Sequence, residues 1–137
     1  MNAVASYRDL KVWQKSMDWV VACYRVSESF PKTEMYGMRS QLQRAAASVP
    51  ANIAEGRGRR STRSFLHFLD IAYGSLMESE TFIMLASRLG FLDDVTVSAL
   101  LVQTAEIGRM LNGLMNSLSK HETADTTECR SRLTPES

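Results

Sequence analysis

Apolar residues recur at alternating steps of three and four in stretch after stretch of this chain, and no other feature constrains its fold as strongly. Leu10, Trp13, Met17, Val20 and Tyr24 form one such seam, and Met35, Met38, Leu42, Ala45 and Val49 a second. Phe65, Phe68, Leu69, Ala72, Leu76, Ile83, Ala86 and Leu89 line a third stretch; Val97, Leu100, Thr104, Ile107, Leu111, Leu114 and Leu118 line a fourth. This spacing gathers side chains on one side of a helix. Strand signals are nearly absent, with three prolines and no Asn-Gly or Asp-Gly turn joining alternating runs. At 137 residues and 45% hydrophobic, the chain has the length and core-forming capacity of one domain. Four long helices with short connections predict an all-α, antiparallel up-down four-helix bundle over residues 1–119.

The boundaries follow from breakers and caps. The first helix is expected from near Asp9 to before Pro31, because the residue preceding a proline disfavours helix. The second starts near Thr33 or Glu34 and meets Pro50, which lacks an N–H and crowds the preceding turn, so a kinked helix is expected. Gly56 and Gly58 supply its C-terminal stop. Ser61 is an N-cap for a third helix of about 29 residues, roughly 44 Å, ending at Gly90. Asp93 or Asp94 opens the fourth, which is expected to end near Ser119. Residues 120–137 are polar with a single leucine and read as a flexible tail.

The first helix carries a second apolar stripe, Val12, Trp19 and Val26, on a different side from its seam. Such a stripe is either a wide core contact or a face for another subunit, and the expectation is a subunit interface. Asn52 and Glu55 lie three apart on one face of the second helix. If buried they need hydrogen-bond partners, so they are expected to serve a structural polar role, satisfying backbone groups freed by Pro50 or bonding Tyr or Arg side chains of neighbouring helices.

Several chemistries are excluded. Gly56-Arg57-Gly58-Arg59-Arg60-Ser61 resembles a dinucleotide fingerprint, but that motif requires a preceding strand, and here a helix precedes it. Neither His67 nor His121 has a glutamate three residues before it, so no di-iron pattern is present. No acid/base pair or nucleophile triad is brought together by spacing, so no enzyme activity, metal or cofactor is expected. Cys23 and Cys129 form no CxxC and read as free thiols. No run approaches 18 apolar residues and no secretory pattern opens the chain, so a cytoplasmic protein without a membrane partner is expected.

Charge distribution leaves one functional candidate. Residues 39–63 carry six arginines against Glu55 alone, net +5, whereas the remaining ten basic and fourteen acidic residues give −4. Arg59, Arg60 and Arg63 cluster where the third helix begins, the end that already attracts anions. Arg44, Arg57, Arg59, Arg60 and Arg63 are therefore the expected contacts to the phosphates of RNA or DNA. The alternatives are a solvated cationic loop paired with Glu55 or Glu34, and a protein-interaction module.

The residues also carry a family pattern. Asp9-Leu10-Lys11-Val12-Trp13, Phe30-Pro31, Ser40-Gln41-Leu42-Gln43-Arg44-Ala45-Ala46, Pro50-Ala51-Asn52-Ile53-Ala54-Glu55-Gly56 and Gly74-Ser75-Leu76 with Glu78 closely resemble the bacterial four-helix-bundle family named for 23S rRNA intervening sequences. The resemblance covers about residues 7–119. It implies a homo-oligomer, a pentameric ring of antiparallel bundles, without catalytic residues. It is distantly similar to accessory factors of retroelement reverse transcriptases, which implies a possible polymerase partner and a basic nucleic-acid surface at Gly56 through Arg60.

Overall fold

The computed structural model describes the backbone of residues 6–133 and the side chains of residues 6–122. Four helices dominate it: α1 (Lys11–Ser27), α2 (Met38–Arg57), α3 (Thr62–Arg88) and α4 (Asp94–Leu133). Short 3-10 turns, Tyr7–Asp9 and Lys32–Glu34, precede α1 and α2, and no strand is present among the described residues. The chain is all-α, and the helices pack as a bundle. Each touches its neighbour in sequence, α1 closes on α4, and no diagonal pair is in contact among the described residues.

Local chemistry sets the ends. The break before α2 is later than expected because Gly37 leaves the helical region, and the Glu34 carboxylate accepts the Met38 N–H at 3.2 Å. α2 then continues through Pro50. The Ser61 hydroxyl accepts the Ser64 N–H at 3.1 Å and caps α3. Gly90, at φ +79°, ends α3 in the left-handed region that a side chain disfavours. Asp93 caps α4 by accepting the Thr96 N–H at 2.7 Å. The expected stop near Ser119 is corrected, since α4 runs on to Leu133. No glycine or proline lies between Leu114 and Thr134, and a polar composition does not by itself end a helix. The expected flexible tail therefore shares residues 120–133 with α4, and 134–137 lie outside the described residues.

Contacts along neighbouring helices run in opposite chain senses. Gly56 at the end of α2 meets Phe65 and Phe68 at the start of α3, while Ser48 and Ser75 share a 2.9 Å hydrogen bond further along. Lys15 pairs with Glu106 at 2.7 Å, and Trp19 reaches back to Thr104. The core is built on Trp19, Leu42, Val49, Ile53, Leu69, Leu76, Ile83, Ile107 and Leu111.

One expectation about this core is overturned. The stripe read as a subunit face, Val12, Trp19 and Val26, belongs to the chain's own interior: Trp19 is 0% exposed, Val12 is buried and Val26 packs against them. The Trp19 indole Nε1–H donates to Thr104 Oγ1 at 3.0 Å, and that hydroxyl donates to the Leu100 carbonyl at 2.8 Å. The buried line of α1 is Val12, Ser16, Trp19, Cys23 and Ser27. Its serines are small and internally satisfied: Ser16 donates to the Trp13 carbonyl and Ser27 to the Tyr24 carbonyl, each at 2.8 Å. Two serines in the line broke its apolar periodicity, so the more regular stripe, Leu10 to Tyr24, took precedence in the sequence. That stripe is split: Met17 and Tyr24 are each 41% exposed, whereas Leu10, Trp13 and Val20 are half-buried against the core.

Candidate functional site

The Gly58–Ser61 turn between α2 and α3 puts four arginines at one end of the bundle, each in a distinct setting. Arg57 is half-buried in the last turn of α2. Arg59 turns back on the protein: its guanidinium pairs with Glu55 at 2.7 Å and lies 4.8 Å from the Phe68 ring centroid. The ion pair is half exposed and contributes little on its own, but together with the ring it fixes the arginine in place. Arg60 and Arg63 are exposed, and among the described residues neither side chain has an ion-pair or hydrogen-bond partner. Arg63 lies in the first turn of α3, where Ser61 occupies one of the free N–H groups and others remain open.

Arg44 is not part of this cluster. It lies thirteen residues before Arg57 on α2, about 20 Å along the helix. There it lines a polar groove of about 300 Å³ with Gln41, Ser48, Ser75 and Glu78. Asn52 and Glu55, expected to act together, also have separate roles. The Asn52 amide donates to the Ser48 carbonyl at 2.8 Å and the Ser48 hydroxyl at 2.9 Å, whereas Glu55 is exposed and holds Arg59. Asn52 thus stitches one turn of α2, rather than serving the Ala46 carbonyl that Pro50 leaves without its helical donor.

The fold adds cations that a linear charge count does not group. The Tyr7–Asp9 turn packs on α2, and Tyr7 lines a groove with Ala54, so Arg8 and Lys11 sit at the arginine end. Helix length brings Lys120 of α4 level with Thr62. Among the described residues this end carries Arg8, Lys11, Arg57, Arg59, Arg60, Arg63 and Lys120 against Asp9, Glu55 and Glu122. The opposite end carries Arg25, Lys32, Arg39 and Arg88 against Glu28, Glu34, Asp93 and Asp94, which balance. One end is therefore cationic and the other balanced, and the cationic one would draw in polyanions.

Other chemistry-bearing groups are placed differently. Cys23 is buried and its thiol is pushed up to about 12 by desolvation, so it does not form a reactive thiolate at neutral pH. His67 is exposed, with its ring edge-on to Phe68 at 5.3 Å. Among the described residues, no three His, Cys, Asp or Glu side chains are grouped as metal ligands, and no helix is long and apolar enough to cross a membrane.

A second surface lies between α1 and α2. Trp13, Met17, Val20, Val21 and Tyr24 form one wall of an open groove of about 680 Å³, and Ala47, Pro50, Ala51 and Ala54 form the other. Tyr7 closes its lower end, edge-on to Trp13 at 5.1 Å, and Arg25 marks its upper end.

Comparison with known proteins agrees with this architecture. The family described as 23S rRNA-intervening sequence protein matches residues 8–113. A crystal structure of a protein of unknown function from the S23 ribosomal protein family of Bacteroides thetaiotaomicron superposes with a TM-score of 0.71. It is 23% identical and covers 76% of this chain and 97% of its own, a likeness that shows a shared fold. No curated protein matches the chain.

Proposed function

We propose a function for a chain that belongs to the 23S rRNA-intervening sequence protein family: it is a non-enzymatic, cytoplasmic, self-associating bundle whose cationic end binds the phosphates of RNA or DNA. The observation that carries this reading is the concentration of seven cationic side chains, among the described residues, at one end, with Arg60 and Arg63 exposed beside the α3 N-terminus. Cations crowded at the positive end of a helix repel one another and the dipole, an arrangement that an anion relieves. One bundle offers few phosphate contacts. Several bundles with their cationic ends together would offer many, and affinity grows with each phosphate neutralised.

The test is fluorescence anisotropy of labelled RNA and single-stranded DNA across a salt series. Wild-type protein is expected to bind at low salt and release as salt rises. Arg60→Ala with Arg63→Ala should weaken binding about equally for all sequences and flatten the salt dependence by roughly one to two contacts per chain. Arg88→Ala at the opposite end, and Arg44→Ala in its separate groove, should leave binding unchanged. No binding at low salt, or equal loss from Arg88→Ala, overturns the reading. The alternative, an accessory subunit that docks on another protein, is favoured by the apolar α1–α2 groove.

A further inference from the structure

The α1–α2 groove is too open and too apolar to be a small-molecule site. No cluster of polar groups converges in it, and Arg25 at the upper edge is the one charged residue along its lining. Its shape suits a helix. One wall carries Trp13, Met17, Val20 and Tyr24 at steps of 4, 3 and 4, the spacing that helix seams present to one another. The other wall carries alanines, which allow a neighbouring backbone to come close. Trp13 and Val20 are half-buried against the chain's own core, while Met17, Val21 and Tyr24 are left exposed because α1 buries a different line of residues.

The same chain carries a matching ridge. Among helical residues described, the most exposed large apolar side chains are Val95 (80%) and Val102 (67%), both on α4. They are seven residues apart, with exposed Ala99 between them, which puts all three on the outward side of the helix. The core uses Val97, Leu100, Thr104, Ile107 and Leu111 on the other side.

Charge and level fit as well. The Phe30 and Phe91 rings meet at 5.6 Å, which places the α1–α2 connection and the start of α4 at the same end of the bundle. Arg25 therefore marks the groove at the end where Asp94 marks the ridge. Trp19 is level with Thr104 and Lys15 with Glu106, so two copies side by side in the same orientation would set Val102 level with Val21 and Val95 toward Tyr24, with Asp94 toward Arg25.

We propose that the α1–α2 groove of one copy receives the Val95–Ala99–Val102 ridge of α4 from a second copy. The proposal rests on the self-association reading above and specifies its surfaces. Groove and ridge share no residue, so the contact is head-to-tail: each chain gives a ridge to one neighbour and takes a ridge from another, in a closed ring or an open stack. Copies in one orientation gather all the cationic ends on a single rim, where their phosphate contacts add.

The test uses the full chain in light scattering and circular dichroism. Met17→Glu blocks the groove and Val102→Glu blocks the ridge, and both residues are exposed, so helix content should be unchanged. Each variant alone is expected to fall to the monomer mass of 15.4 kDa. An equal mixture should then rise to twice that mass and stop, because one intact groove and one intact ridge remain. Variants that keep the wild-type mass, or a mixture that stays monomeric, overturn the head-to-tail contact while self-association stands. A wild-type chain that is itself monomeric at all concentrations overturns the self-association reading and the proposal with it.

Discussion

The two faces of α1 have nearly exchanged the compositions expected of them. The inward face holds Val12, Ser16, Trp19, Cys23 and Ser27, three of the five small and two of them hydroxylated. The outward face holds Met17, Val21 and Tyr24 exposed, with Trp13 and Val20 half-buried beside them. Burial decided against bulk because the interior needs fit before it needs size. Trp19 is the largest fully buried side chain, and the serines in line with it satisfy their hydroxyls on their own helix. A large apolar face left outside implies a use beyond the single chain.

The sharpest way to break this contrast is to truncate one residue from each face. Trp19→Ala removes a fully buried indole and its bond to Thr104, and is expected to cost about 3–5 kcal/mol. Thermal unfolding should show a fall of roughly 10 °C or more. Met17→Ala should change the isolated chain by about 0.5 kcal/mol or less. At concentrations where copies associate, Met17→Ala should destabilise more, because the lost contact is then between chains. Similar losses from both substitutions at high dilution would mean that the two faces are not distinct.

This contrast also marks where the sequence was legible. Helix number, the all-α class and the caps Ser61 and Asp93 follow from local chemistry, and the structure agrees with them. The seams of α3 and α4 were readable because their core positions are nearly all apolar. The seam of α1 was not, because Ser16 and Ser27 interrupt the correct line while an unbroken apolar line runs beside it. The break at Gly37 was hidden by Met35, which extends the α2 pattern across it. For the candidate site, Arg57, Arg59, Arg60 and Arg63 were visible as a local cluster. Arg8 and Lys11 were not, since only the fold brings the start of the chain beside that turn, and Arg44 was included because a linear charge count ignores 20 Å of helix.

A second pair sharpens the inward–outward distinction at the site itself, with smaller effects. A methyl group on Gly56 would lie 2.8 Å from Phe68 Cβ and 3.0 Å from Phe65 Cδ1. The first of these is held by the α3 backbone, so the helices must part. Overpacking costs about 1–3 kcal/mol and the gain in helix propensity returns up to about 1, so Gly56→Ala should destabilise by roughly 1–2 kcal/mol. Gly58→Ala meets nothing nearer than 3.6 Å, and its φ of −78° suits any residue. It should be neutral or stabilise by about 0.4–1 kcal/mol through the unfolded chain. Opposite signs two residues apart, measured by urea denaturation, would locate the boundary between packed interior and open cationic turn. Equal signs would remove it.

The smallest effect concerns the capping carboxylate beside the proposed ridge. The Thr96 N–H donated to Asp93 holds its carboxyl below the ordinary carboxylate range. A lowered folded value means that stability from this cap is fully present above the unfolded value and is lost as pH falls through the folded one. Asp93→Asn keeps an oxygen that accepts the same bond but carries no charge near the positive end of α4. Wild type should therefore melt slightly higher than Asp93→Asn at pH 7, and the gap should close on acidification through and below the usual carboxylate range. Glu106, held low by Lys15, titrates in the same window but is common to both proteins and cancels in the difference. A gap that stays constant with pH would show that the Asp93 cap depends on its shape and not on its charge.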